Sequence, residues 1–269
     1  MTAAMNAPAV GRRWFLDSRR GLLGWSAGLL GVVLLYLPLY ASMRETDLLS
    51  AKLEALPSEM LEGLGMSVAT MATPWGYTQQ TVFGMLGMLL LLCAAIGQGT
   101  RALAGDEESG GLELVVAHAT TRTGVLLARA AAVHLIVLVL AAVLGLGTLA
   151  INGSSGLHLS PVNIAAVTVA LGLLCTLHAT VALTAGAITG RRGSALAVTS
   201  TVGVLGYFAH TMGAKVADWV PSLSPFHWAF AAEPLHNGFD GRGLGLLAGA
   251  SVVLLTVAVI ALNRRDLHA

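Results

Sequence analysis

Six apolar runs, each near twenty residues and parted by polar links, limit what this chain can become more than any other feature. They fall at about 21–41, 78–97, 124–150, 163–189, 194–212 and 243–262. About 30 Å of hydrocarbon takes roughly 20 helical residues to cross, and inside it every backbone polar group must be paired within the protein. The fold class expected is therefore all-α: a polytopic membrane protein with six transmembrane helices in one domain over residues 1–269. The charge content agrees. Only 11% of residues are charged and the mean hydropathy is +0.76, where a soluble domain carries about 25% charged residues. The first run is too long for a cleavable signal and no Ala-x-Ala site closes it, so it is expected to remain as a span.

Arginine placement orients the chain. With the N-terminus inside, the inner segments hold Arg12, Arg13, Arg19, Arg20, Arg101, Arg122, Arg129, Arg191, Arg192, Arg264 and Arg265, eleven bases against four outside (Arg44, Lys52, Lys215, Arg242). Both termini are expected in the cytoplasm. Ahead of the first span, Trp14, Phe15 and Leu16 lie between two Arg pairs. They suggest an amphipathic N-terminal helix lying in the interface, or simply a basic flank. Outside, leucines 49, 53 and 56 share a helical face that Thr46 or Asp47 can cap and Pro57 ends. Asn152 to Gly156 reads as a tight turn. The segment 213–242 is rich in aromatics and proline, which predicts an aromatic belt and a re-entrant or interfacial hairpin.

The inner loop over 98–123 is the most charge-dense stretch. Asp106, Glu107 and Glu108 are followed by Gly110 and Gly111, then by the short amphipathic run Leu112-Glu-Leu-Val-Val116. Acids at mid-membrane cost about 2.5–3.5 kcal/mol each on insertion scales, so this loop must sit at the membrane face. It offers acids and a small apolar ridge to a partner in the water.

Other constellations are weaker. Gly24 and Gly28 lie four apart on the first span, the spacing that lets helices touch in lipid, and make the best candidate for a dimer contact. His134 and His178 are placed near mid-membrane on consecutive antiparallel spans, with Cys175 one turn from His178. Intramembrane ionisable groups point to metal or proton handling; the alternative is a neutral imidazole bonded to a neighbouring helix. No carboxylate joins them, so no metal site is assigned. Together with Gln79, Gln80, Thr201 and His210 they are the polar points of a candidate substrate pathway. No catalytic residues are expected: the chain lacks Gly-x-Ser-x-Gly, paired intramembrane aspartates and His-Glu-x-x-His. It also lacks Gly-x-x-x-x-Gly-Lys-Ser/Thr, so ATP has no phosphate-cradling loop here. A net charge of +1 gives nucleic acid no field to follow.

The run Arg101-Ala-Leu-Ala-Gly-Asp-Glu-Glu-Ser-Gly-Gly-Leu-Glu-Leu114 is close to the Gly-Glu-Glu-x-x-Gly-Thr-Leu-Glu segment found between spans two and three of a transporter family. Asp106 replaces its first Glu and Gly111 its Thr. Ala117-His-Ala-Thr-Thr-Arg122 continues the match, with Thr120 in place of a Pro. Ser224-Pro-Phe-His-Trp228 and Glu233-Pro-Leu-His-Asn-Gly238 look like that family's outer segments. The chain thus resembles the membrane-spanning subunit of type-2 ATP-binding-cassette (ABC) exporters, bacterial permeases for drugs, antibiotics and lipids. The resemblance implies residence in the bacterial inner membrane and pairing with a second copy. It further implies two separate ATPase subunits, which alone bind ATP and Mg, docked on a cytoplasmic coupling helix between spans two and three. On that reading the coupling residues are Arg101, Asp106, Glu107, Glu108, Gly111, Leu112, Glu113, Val115 and Arg122. Walls of Leu, Val, Ala and Gly imply an amphipathic or apolar cargo. The competing readings are a six-span carrier or channel working alone, and a membrane sensor or immunity protein that transports nothing.

Overall fold

The computed structural model describes residues 7–45, 57, 60, 63, 68–108 and 121–265. Most of those residues are helical, with no strand among them. A short helix, α1 (Ala7–Asp17), precedes six long ones: α2 (Arg19–Ser42), α3 (Pro74–Glu108), α4 (Arg122–Ile151), α5 (Pro161–Thr189), α6 (Arg192–Lys215) and, last in the chain, α9 (Gly241–Arg264). Between α6 and α9 lie two short helices, α7 (Pro225–Phe230) and α8 (Pro234–Asn237). All six long helices are apolar and long enough to span a membrane. The outer helix expected over 46–56 lies outside the described residues.

Local chemistry sets the ends. The Thr121 hydroxyl accepts from Gly124 N at 3.0 Å to cap α4, and both Asp240 oxygens accept N–H groups to cap α9. Pro161 opens α5 at its first turn, where its missing N–H costs nothing. Asn152 closes the α4–α5 turn by exchanging two 2.9 Å bonds with Leu159.

Burial divides the bundle. In the most apolar window of α5, 72% of residues are buried, against 56% for α3 and 50% for α4. The same share is 17% in α2 and 11% in both α6 and α9, so α3, α4 and α5 form the core and the others flank it. Lipid supplies no hydrophobic drive between helices, so close approach of small residues has to hold them. Gly99 on α3 does this: a Cβ there would stand 2.6 Å from Ala179 O and 2.9 Å from Ala182 Cβ on α5.

Two features depart from the expectation. First, α1 is a helix, but its Trp14 does not face lipid. The ring is buried at 8% exposure, with the guanidinium carbons of Arg101 and Arg129 at 5.2 and 5.6 Å from its centroid. Gly11 permits this docking, because a Cβ there would lie 2.8 Å from Ala128 O of α4. Second, α3 contains two π-helical segments, Gln79–Leu86 and Arg101–Gly105. Gly84 and Gly87 serve the first of them: their Cβ positions would meet the carbonyls of Gln79 and Val82, five residues back, at 3.0 and 2.4 Å, and Gly87 also admits Leu144 of α4.

The proline-rich segment folds back against the bundle. Phe226 of α7 is buried and meets the His178 ring edge-on at 5.3 Å. His178 lies eleven residues from the end of α5 at Thr189, about 16 Å at 1.5 Å per residue, well inside the length of that helix. Non-helical backbone is tolerated at that depth only inside protein. Here Ser224 Oγ donates to Gly206 O at 2.6 Å and Trp228 Nε1 to Ser222 O at 2.6 Å. Asn163 of α5 holds the carbonyls of Leu235 and His236.

Candidate functional site

The bundle has an Arg-rich end, where α3 hands over to α4, and an opposite end, where the hairpin enters. Each gathers part of the expected site.

At the Arg-rich end, α3 runs on past residue 97 to Glu108 and binds its neighbours through three successive acids. Asp106 Oδ2 takes Arg129 Nη2 of α4 at 2.7 Å, while Arg129 Nη1 donates to Ala102 O at 2.7 Å. The Arg129 side chain is 3% exposed and that of Asp106 27%. Glu107 forms an ion pair with Arg265, just beyond α9, at 10% and 19% exposure. Gly190 leaves room for that pair: its φ of +66° is a left-handed turn, and a Cβ would stand 2.8 Å from Glu107 Oε1 and from both terminal nitrogens of Arg265. Glu108 Oε1 accepts the Arg192 backbone N–H at 2.9 Å, a carboxylate at the N-terminus of α6. Arg122 Nη1 donates to Arg265 O at 2.7 Å, and Arg265 Nη1 reaches Gly186 O of α5 at 3.4 Å. The ends of α3, α4, α5, α6 and α9 are thereby joined around residues 106–108.

Asp106 and Glu107 are thus paired within the chain, where the sequence leaves them facing water, while Glu108 remains exposed. The ion pairs replace the water that an acidic helix end would otherwise need, so α3 keeps its helix about three turns beyond its apolar run. Of the other expected coupling residues, Arg101 covers Trp14. Gly111, Leu112, Glu113 and Val115 lie outside the described residues.

At the opposite end, a cavity of about 250 Å³ lies between the first π segment, the last turns of α6 and the hairpin. It draws together Gln79, Gln80 and His210 of the expected pathway, and Tyr207, Phe226, Phe230 and Glu233 are among its other walls. Gln79 Oε1 also accepts Leu235 N at 3.0 Å, fastening the hairpin to the π segment. The other expected pathway residues are elsewhere. Thr201 is exposed on α6. His134 Nε2 bonds Thr180 Oγ1 at 2.9 Å, and His178 Nδ1 donates to Leu174 O at 2.9 Å on its own helix. Among the described residues no three His, Cys, Asp or Glu gather as a metal site would need. Gly24 and Gly28 lie exposed on α2: a Cβ on Gly24 would meet nothing within 4 Å, and one on Gly28 only Leu90 at 3.9 Å.

Arg129, Arg265 and Glu233 carry these sites and are not among the site residues expected from sequence; Trp14 is expected only in an interfacial helix. For Arg129 a signal existed, since an arginine two turns inside an apolar run needs a partner, and Asp106 ends the preceding span. Arg265 offered none; its partner is 158 residues away.

Residues 13–263 match the family model described as Multidrug efflux system permease Rv1217c, C-terminal domain. No curated protein matches the chain.

Proposed function

The chain belongs to this family of multidrug efflux permeases, and we propose on that footing that it is the membrane subunit of an ATP-driven exporter, clearing amphipathic or apolar molecules from a bacterial cytoplasm. The match over residues 13–263, nearly the whole chain, carries this reading. The Arg-rich end is then the cytoplasmic one, as the excess of bases on that side supports. Two copies pair, with Gly24 and Gly28 free on α2 for close contact, and one ATPase subunit docks on the 101–122 segment of each copy.

The joined helix ends supply a mechanism. ATP binds the closed ATPase pair more tightly than the open one, which shifts the population between two membrane conformations. Movement of the segment after Glu108 reaches α4 through Asp106 and Arg129, α9 through Glu107 and Arg265, and α6 through Glu108. One displaced loop therefore moves several spans together.

Inverted membrane vesicles holding the chain with a cassette ATPase encoded beside it should accumulate the neutral dye Nile red when ATP is added. Omitting the ATPase should remove the accumulation. Uptake that needs no ATPase would favour a carrier working alone and overturn the reading.

A further inference from the structure

We propose that the cavity beneath the hairpin binds small aromatic organic cations, with Glu233 as the counter-charge; this rests on the exporter reading and names a substrate class for it. Glu233 lines the cavity, and among the described residues its carboxylate has neither an ion pair nor a hydrogen bond. A carboxylate at a cavity wall without a counter-ion is free to pair with a cation that enters.

The backbone at this position supports a role beyond turning the chain. Glu233 has φ 51° and ψ 62°, the left-handed region, which a residue with a long side chain enters only under strain. Glycine or asparagine would make the same turn more easily. Glutamate brings charge instead.

The walls define the rest of the ligand. Tyr207 and Phe226 meet edge-to-face at 5.6 Å between centroids, and Phe230 joins them at the cavity. Aromatic faces carry negative potential and attract alkylammonium groups. His210 Nδ1 is buried with no hydrogen-bond partner among the described residues, so it is available to a polar substituent. The volume of about 250 Å³ is below the roughly 300–1,000 Å³ of pockets for drug-sized molecules. It suits one ring with an alkylammonium head.

The test is equilibrium binding of tritiated benzyltrimethylammonium to the full chain in nanodiscs, without an ATPase. The wild-type chain should bind it saturably, and benzenesulfonate should not compete. Glu233→Gln should weaken binding about tenfold or more, the loss expected when a desolvated charge partner is removed. Glu233→Asn should do the same, and because asparagine accepts the left-handed backbone, that variant should melt no lower than wild type. Unchanged affinity in a folded Glu233→Asn chain would overturn the proposal. So would a wild-type chain that pumps Nile red with its ATPase yet shows no saturable cation binding, an outcome that leaves the exporter reading standing. Cation binding without Nile red transport would instead count against the exporter reading alone.

Discussion

Replacing Gly99 by leucine should abolish the packed bundle while leaving the spans inserted. A Cβ at this position stands 2.6 Å from the Ala179 carbonyl oxygen, and backbone cannot swing aside as a side chain tip can. Three further carbons must then be placed between α3 and α5, the two most buried helices of the core. Overpacking costs about 1–3 kcal/mol where side chains can give, and more is expected where a helix must move. Gly97→Leu is the control. Its Cβ would meet nothing within 4 Å, and leucine is the better helix former by roughly 0.5–1 kcal/mol. Thermal unfolding and limited proteolysis in detergent should show the protected core lost in Gly99→Leu and kept in Gly97→Leu. Equal behaviour of the two would remove the α3–α5 contact from its central place.

Arg129→Met should cost nearly as much, through charge instead of volume. Methionine approximates the volume but removes the Asp106 pair, the bond to Ala102 O and one cation over Trp14. Breaking a buried ion pair from one side costs about 3–5 kcal/mol. Asp106 keeps 27% of its exposure, which water can use, so the lower end of that range applies. The double variant Asp106→Asn with Arg129→Met leaves no unpaired charge and should recover part of the loss. A double variant that melts as the plain sum of the two singles would show that the residues act independently.

The six spans were legible because a twenty-residue apolar run has few fates. Their ends are less so: the second apolar run covers 78–97, whereas its helix extends from Pro74 to Glu108. Arg101 and three acids look like a loop until Arg129, Arg265 and the Arg192 N–H are placed beside them, and those contacts are tertiary. The π segment at Gln79–Leu86 was invisible, since a helix apolar on all sides carries no periodicity to break. The hairpin was legible through its prolines and aromatics, whereas the position of Glu233 at a cavity wall depends on how the hairpin folds against α3. His134 was expected either at a metal or proton site or bonded to a neighbouring helix, and its bond to Thr180 of α5 is the second arrangement.

The Glu107–Arg265 pair holds the most buried acid of the transmission path and forms its link to α9, and the most direct measurement is Nile red transported per ATP hydrolysed in proteoliposomes holding the permease and its ATPase. Glu107→Gln and Arg265→Gln should each leave ATPase binding and basal hydrolysis in place while lowering that ratio. The double variant should be no worse than either single one, because both remove the same link. A ratio unchanged from wild type in both single variants would contradict the account.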